Sequence, residues 1–251
     1  MQELFKNKVA LITGGARGIG KAIARRLAHA GADIAIVYYN SSDEATILVE
    51  EFKQMGRKAI VLQANVADES SVKAMAEEFS KHFDKVDFLV SNAASGVLKP
   101  ELEMSTKHFR WCMETNALGL HHLVKSFHQM MAEGGRVLAL SSLGATRAIP
   151  NYAFIGASKA ALEAIVRSLS LELAVKNITV NTISAGVVDT DALKHFPNRE
   201  QLLDEHQMRS LAGRSLLPDD VADVAYLLCR PESQMIRGQT IVVDAGYSII
   251  A

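Results

Sequence analysis

A tyrosine and a lysine stand seven residues apart, at Tyr152 and Lys159. A phenol can donate a hydrogen bond to a developing oxyanion, and a buried ammonium group can keep the local field positive. Seven residues are close to two helical turns, so both side chains share one helix face if a helix begins that early. Pro150 and Asn151 predict such a start, with Asn151 as N-cap. The residue four positions before the lysine is Ile155, which cannot donate a proton.

A glycine-rich loop, Thr13-Gly14-Gly15-Ala16-Arg17-Gly18-Ile19-Gly20, follows the first apolar run and opens the first helical stretch. Glycines permit a tight turn and a close approach to a pyrophosphate, which the free N–H groups of a helix start attract. An ordinary glycine-rich turn is the alternative. The strand before the loop and the helix after it favour a dinucleotide site that includes Gly14, Gly18, Ile19 and Gly20.

The end of the second strand bears on which dinucleotide would bind. It reads Tyr38-Tyr39-Asn40-Ser41 and lacks the acid that an NAD site usually places there. Arg17, inside the glycine loop, carries a guanidinium that can bind a 2′-phosphate in a fork. We therefore predict NADPH as the cofactor, with Arg17 at its 2′-phosphate and Ser41 among the cofactor-binding residues. The alternative is an Arg17 that points to solvent.

Asparagines follow the next two strands, in Asn65-Val66 and Asn92-Ala93. The carboxyl ends of the strands are where an open α/β sheet binds its ligands. Asn65 would meet the adenine, and Asn92 with Ala93 would let the cofactor approach closely. Either asparagine could instead serve its own turn, because asparagine favours such positions in any case.

The elements that must position these residues are short apolar runs alternating with stretches of helical period. The predicted strands are Val9 to Thr13, Ile34 to Tyr38, Ala59 to Gln63, Phe88 to Ser91, Val137 to Ser141, Thr179 to Ile183 and Thr240 to Val243. Such alternation predicts an α/β fold, a Rossmann-type doubly wound parallel sheet of about seven strands with helices on both faces. We see no linker, which predicts a single domain over 1–251, with a substrate lid at about 189–218.

Composition narrows the function classes. The 251 residues carry a formal net charge of −1, which gives no electrostatic case for binding nucleic acid or a membrane surface. Cys112 and Cys229 fit no metal-ligand spacing, so we predict no metal site. The N-terminal residues lack the apolar core of a signal peptide, and a cytoplasmic protein is expected.

Together these motifs resemble the short-chain dehydrogenase/reductase family over essentially the whole chain. The matching residues are the glycine loop, Asn92-Ala-Ala, Asn116, Ser141-Ser142, a tyrosine with Lys159, and the segment Gly238 to Gly246. Most reductases of this family place their tyrosine four residues before the lysine, where this chain has Ile155.

Within that family, the stretch from Leu140 to Tyr152 and the pair Ala185-Gly186 resemble bacterial enoyl-acyl-carrier-protein reductases, which carry six residues between tyrosine and lysine. The commonest of these enzymes have a degenerate glycine loop and a second tyrosine where this chain has Ser142. An intact glycine loop is similar to the FabL type, the NADPH-dependent third class.

The resemblance implies roles for individual residues. Tyr152 would hydrogen-bond the thioester oxygen, Lys159 would hold the nicotinamide ribose hydroxyls, and Asn116 would support Lys159 through water. Ser142 would line the pocket or bond the substrate, and Thr190 would meet the nicotinamide carboxamide. Two further residues after the sixth strand would contribute to the cofactor site, Gly186 and Val188.

The expected function is reduction of the trans-2 double bond of enoyl thioesters on acyl carrier protein, or on a coenzyme A analogue, in fatty-acid elongation. A basic rim on the lid would favour an acidic carrier: Lys194, Arg199, Arg209 and Arg214. A homotetramer is also implied, partly through the tail from Tyr247 to Ala251. The alternatives are a ketoacyl or other carbonyl reductase of the same family, and a catalytically silent NADPH-binding sensor or scaffold.

Overall fold

Seven apolar segments form one parallel sheet in the computed structural model, which describes residues 3–190, 193 and 199–250. The strands are β1 Val9–Thr13, β2 Asp33–Tyr38, β3 Ala59–Gln63, β4 Val86–Ser91, β5 Met131–Ser142, β6 Thr179–Ala185 and β7 Thr240–Val243. Their order across the sheet is β3-β2-β1-β4-β5-β6-β7, and every neighbouring pair is parallel. The predicted doubly wound α/β architecture is confirmed.

Helices cover both faces of this sheet. Those in the described part of the chain are α1 Gly18–His29, α2 Ser42–Gln54, α3 Glu69–Ser80, α4 Thr106–Met113, α5 Gly119–Phe127, α6 Ala153–Glu172, α7 Arg199–Arg209 and α8 Pro218–Cys229. One core layer joins the sheet to α1, α2 and α8, and the other joins it to α3, α5 and α6. None of the helices described here combines the length and apolarity that crossing a bilayer requires.

The two layers explain why the central strands are apolar throughout. In β1, Ala10 and Ile12 face one layer, whereas Val9 and Leu11 face the other. All five residues of β1 are buried as a result. A strand of this kind cannot show the alternation of a half-exposed sheet.

Helix α6 begins later than the Pro150-Asn151 pair predicts. Asn151 has φ 61°, in the left-handed region, and so lies outside the helix. Tyr152 is the N-cap residue, and its carbonyl accepts the first helical bond from the Gly156 N–H at 2.7 Å. The prediction of Asn151 as N-cap is wrong because asparagine tolerates left-handed backbone and here forms the turn before the helix. Tyr152, at the N-cap, and Lys159, inside the helix, still lie about two turns apart along α6.

The predicted lid segment contains α7 and ends where α8 begins at Pro218. Helix α7 is polar, and His206 is its one buried residue. Positions 191–192 and 194–198 of that segment, including Lys194, lie outside the described residues, as does Ala251 of the predicted tail contact.

Candidate active site

A cavity of about 740 Å³ opens at the carboxyl edge of the sheet. It spans the point between β1 and β4 where the strand order reverses, which is where such sheets bind ligands. Nearly all the residues predicted for the site line it: Gly14, Arg17, Gly18, Ile19, Ser41, Asn65, Val66, Asn92, Ala93, Ser142, Tyr152, Lys159, Gly186, Val188 and Thr190. Gly20 and Asn116 lie behind this wall.

Hydrogen bonds from β4 hold the glycine loop in shape. The Asn92 side-chain amide donates to the carbonyls of Thr13 and Gly14, both at 3.0 Å. The Thr13 hydroxyl accepts from the backbone N–H groups of Asn92 and Ala93 at 3.0 and 3.1 Å. Asn92 therefore fixes the loop, which gives it a structural task in addition to lining the cavity.

Two loop glycines are required by the backbone around them. Gly14 has φ +62°, which side chains rarely adopt. A Cβ on Gly20 would lie 2.4 Å from the Gly14 carbonyl oxygen and 2.5 Å from the Asn92 side-chain nitrogen. The loop consequently keeps its backbone bare beside the start of α1, and such a surface fits a pyrophosphate.

The cavity wall beside the end of β2 contains no acid among its described residues. Tyr38, Tyr39, Asn40 and Ser41 form this part of the wall, and the exposed Arg17, which is the N-cap residue of α1, also lines the cavity. Asp43, the first acid after β2, belongs to the first turn of α2 and is not part of the wall. This composition fits a 2′-phosphate better than a pair of ribose hydroxyls.

Asn65 and Val66 reach the cavity from the turn after β3. The Asn65 side-chain oxygen accepts from the Ala67 N–H at 3.1 Å, so this side chain stabilises its own turn. The Val66 carbonyl lies 3.0 Å from His122 Nδ1. Both residues thus shape the wall, and an adenine contact by Asn65 stays a prediction.

Tyr152 stands at the opposite end of the cavity. Its phenol oxygen lies 3.2 Å from the Ser142 hydroxyl, and either atom can donate. Its ring packs on Gly144, where a Cβ would come within 2.6 Å of two ring carbons. Burial raises the pKa of Tyr152, although the Ser142 hydrogen bond partly opposes the change. The phenol is therefore protonated at neutral pH and can serve as a hydrogen-bond donor.

Lys159 is buried beside it, with 6% of its surface exposed. Its ammonium donates to the Leu140 carbonyl at 2.7 Å. Burial lowers the pKa of Lys159 to about 8, and the charge of Glu163 acts in the opposite direction. With that pKa, roughly nine in ten molecules carry the ammonium at pH 7.

Asn116 lies on a π-helical turn, Glu114–Leu118, between α4 and α5. Its side-chain oxygen accepts from the Ser95 N–H at 2.8 Å, and its amide donates to the Ser95 carbonyl and the Ser158 hydroxyl, both at 2.9 Å. Asn116 thus positions the residue next to Lys159, and the water-mediated support of Lys159 stays a prediction.

Several wall residues were not predicted from the sequence: Ser95, Trp111, Glu114, Thr115, Leu143, Ile149, Leu193 and Leu202. Ser95 carried a signal, because it follows Asn92-Ala-Ala directly. Trp111 and Leu202 carried none, since α4 and α7 reach the cavity only through tertiary packing. Ile155 is not in the wall and packs on Gly96, where a Cβ would lie 2.3 Å from its side chain.

The predicted basic rim is largely neutralised by acids. Arg199 contacts Asp189 at 2.7 Å, and Arg214 contacts Asp220 at 2.5 Å. Arg209 lies 3.6 Å from Glu205. Surface pairs of this kind carry little net charge to a partner, which weakens the argument for an acidic carrier from the rim alone. Among the described residues, no three His, Cys, Asp or Glu side chains are grouped to hold a metal.

Comparison with known families gives a match over residues 14–248 to the family described as Enoyl-(Acyl carrier protein) reductase. The 1-cyclohexenylcarbonyl-CoA reductase of Streptomyces collinus is 35% identical over 256 residues, covering 100% of this chain and 90% of that protein. The hydroxynaphthalene reductase-like protein Arp2 of Metarhizium robertsii is 33% identical over 251 residues, covering 95% of this chain and 94% of that protein.

Solved structures show the same architecture. A short chain dehydrogenase from Burkholderia cenocepacia in complex with NADP superposes with a TM-score of 0.91 at 32% identity, covering 98% of this chain and 99% of that one. The angucycline C-6 ketoreductase LanV with bound NADP gives a TM-score of 0.91 at 30% identity, covering 100% of this chain and 99% of that one.

Proposed function

The chain belongs to the short-chain dehydrogenase/reductase family of oxidoreductases, and on that basis we propose that it reduces the trans-2 double bond of enoyl thioesters with NADPH. One observation carries the proposal. Tyr152, at the N-cap of α6, presents its phenol in the cavity wall, while Ile155 occupies the position four residues before Lys159 and packs away on Gly96.

The place of this phenol matters because double-bond and carbonyl reductions develop charge at different atoms. NADPH, when bound, supplies a hydride, which adds to C3 of an enoyl thioester and leaves negative charge on the carbonyl oxygen two carbons away. An oxyanion donor for that substrate belongs further along the cavity than one for a ketone. Tyr152 lies one helical turn before Ile155 and suits the displaced charge.

Tyr152 would stabilise the enolate through its hydroxyl, and a single donor of this kind is worth roughly 3–4 kcal/mol in the transition state. The Ser142 hydroxyl, 3.2 Å away, orients the phenol. The Lys159 ammonium would bind the nicotinamide ribose hydroxyls and favour the developing anion beside it. No step requires Ile155.

The cofactor proposal rests on the loop and on Arg17. The bare backbone between Gly14 and Gly20 would hold the pyrophosphate, and Arg17 with Ser41 would hold the 2′-phosphate. Two structures similar to this chain contain NADP, which supports the same choice. Thr190 lies against Gly18 and would contact the nicotinamide end.

The name of the Streptomyces relative supports the thioester substrate, since a 1-cyclohexenylcarbonyl thioester carries its double bond next to the carbonyl. That relative is named for a coenzyme A substrate, whereas the matched family is described by its acyl carrier protein. We propose the enoyl thioester as the recognised unit, with acyl carrier protein as the carrier in fatty-acid elongation. The homotetramer likewise stays a proposal, which light scattering in solution tests.

Carbonyl reduction is the second candidate function. The hydrogen bond between Ser142 and Tyr152 would suit the activation of a ketone oxygen. A hydroxynaphthalene reductase-like protein and a ketoreductase are among the similar proteins. This candidate requires Tyr152 to protonate an oxygen on the same carbon that is reduced, and so requires the substrate to lie deeper towards Ser142.

The experiment compares NADPH oxidation with a trans-2-enoyl thioester and with the matching 3-ketoacyl thioester, each on acyl carrier protein and on coenzyme A. Turnover of the enoyl substrates at a kcat/KM at least tenfold above the ketoacyl substrates supports the proposal. Turnover of the ketoacyl substrates alone refutes it. Tight NADPH binding without turnover of either favours the silent sensor.

A further inference from the structure

Glu163 is a buried carboxylate for which the proposed reaction has no use. It has 9% of its surface exposed and does not line the cavity. It lies one helical turn after Lys159 on α6, and its carboxylate accepts a hydrogen bond from the Ser141 hydroxyl at 2.7 Å. Burying a carboxylate is costly and must be compensated by hydrogen bonds or a countercharge. The partners of Glu163 therefore indicate what it does.

The hydrogen bond to Ser141 belongs to a set between β5 and α6. The carbonyl of Leu140, just before Ser141, accepts a hydrogen bond from the Lys159 ammonium. The hydroxyl of Ser142, just after Ser141, is hydrogen-bonded to the Tyr152 phenol. Three consecutive residues of β5 therefore each contact one polar residue of α6 or its N-cap. Glu163 is the member of this set nearest the helix middle.

Charge connects Glu163 to Lys159 as well. Burial alone would lower the pKa of Lys159 further, and Glu163 is the charged group that raises it. The other ionisable groups near this end of the cavity are Tyr152 and Glu114, which line its wall, and Cys112, which is buried on α4 behind it. Cys112 acts on Tyr152. Glu163 is thus the countercharge within the core on the side of Lys159 away from the cavity.

We propose that Glu163 is a positioning residue, which keeps the Lys159 side chain in its ammonium form and, through its own bond to Ser141, ties this turn of α6 to the end of β5. The inference rests on the proposed function, because it matters only if Lys159 must be charged for cofactor binding and reduction. It adds to that function a residue outside the cavity whose effect depends on pH.

Glu163→Gln tests the proposal, because glutamine keeps the shape and an acceptor for Ser141 but removes the charge. We expect the basic limb of the kcat/KM profile to move from about pH 8 in the native protein to about pH 7, a shift of roughly one unit. That shift corresponds to an activity loss of about fivefold at pH 8 and almost none at pH 6. Glu172→Gln makes the same change at the exposed end of α6 and should leave the profile unchanged.

A merely structural role for Glu163 predicts a loss that is equal at all pH values, and that result overturns the proposal. If Glu163→Gln does not fold, Glu163→Asp takes its place. Its carboxylate is withdrawn by one methylene, and a smaller shift in the same direction is expected. A limb that does not move, or moves to higher pH, in a folded variant also overturns the proposal.

Binding of NADPH gives a readout that needs no turnover. Trp111 is the one tryptophan in the sequence and lines the cavity, so energy transfer from it reports the affinity for NADPH. The pH above which that affinity falls should shift by the same roughly one unit in Glu163→Gln. If no enoyl thioester is reduced but the affinity limb shifts, the proposed function fails while the role of Glu163 stands. An unshifted affinity limb overturns the role of Glu163 alone.

Discussion

The buried Lys159 makes the stability of the protein depend on pH in a direction that can be measured. Its folded-state pKa is about 8, below the ordinary lysine value of 10.5. Between these values the unfolded chain binds more protons than the folded one, so Lys159 makes the free energy of unfolding rise with pH. The cost of burying the Lys159 ammonium lowers the free energy of unfolding by its full amount below pH 8, and this cost disappears above pH 10.5.

The size follows from the difference between the two pKa values. A difference of about 2.5 units at 1.36 kcal/mol per unit gives about 3 kcal/mol. The Lys159 side chain is 6% exposed, so solvent screening reduces this figure little. We expect Lys159→Met, which has no ammonium, to lack this rise.

Other buried groups titrate in the same range with the opposite sign. Burial raises the pKa of Cys112, of Tyr152 and of Cys229, the last to about 12. Their protonated forms are favoured in the folded state, so they lower stability as the pH rises. The native protein and the Lys159→Met variant both contain these groups. The difference between their free energies of unfolding therefore isolates the contribution of Lys159.

The assay is urea unfolding of the cofactor-free proteins at pH 7 to 10.5, at fixed ionic strength and protein concentration. The free energy of unfolding of native protein minus that of Lys159→Met should increase by about 3 kcal/mol from pH 8 to 10.5. Lys73→Met, which changes an exposed lysine of α3, should show no such slope. A flat difference for Lys159→Met would refute the reasoning, because it would mean that burial does not perturb this lysine.

Three further predictions concern the cavity. Tyr152→Phe should lower kcat by roughly 100- to 1,000-fold with little change in NADPH affinity. The control Tyr226→Phe, on α8, should leave both unchanged. A near-native kcat in Tyr152→Phe would exclude Tyr152 as the donor. Gly144→Ala places a methyl group 2.6 Å from the Tyr152 ring, so kcat should fall at least tenfold with NADPH affinity retained, and an unchanged kcat would show that the ring position is not critical. Arg17→Ala should weaken NADPH by about tenfold or more while leaving NADH unaffected in fluorescence titrations, and equal losses for both would contradict a phosphate contact.

The architecture was predictable because each buried strand carries its own apolar pattern. Strand β1 is buried at every residue, and its flanking glycine loop marks where the helix begins. The early part of β5 was missed, since the strand begins at Met131 while Glu133, Gly134 and Gly135 carry no apolar pattern. Pairing with β4, through Met131 and Val86, holds that stretch in the sheet. Tertiary contacts thus override a weak local preference.

The site divides in the same way. Residues in or beside a strand end, such as Asn92 and Ser142, could be located because the sheet brings all strand ends to one edge. Trp111 and Leu202 could not, since their place depends on how α4 and α7 pack. Glu163 was one turn from Lys159 in the sequence, but its burial and its bond to Ser141 appear only in three dimensions.

The four hydrogen bonds that join Thr13 and Gly14 to Asn92 and Ala93 lie entirely within the protein and need no nucleotide atom. Ordering one loop residue costs about 1–2 kcal/mol of conformational entropy, and a loop already held in place does not incur that cost again on binding. The glycine-loop end of the cavity is therefore preorganised, and affinity gained there is not lost to folding of the loop. NADPH should associate in a single fast phase at this end, without a slow step of loop ordering.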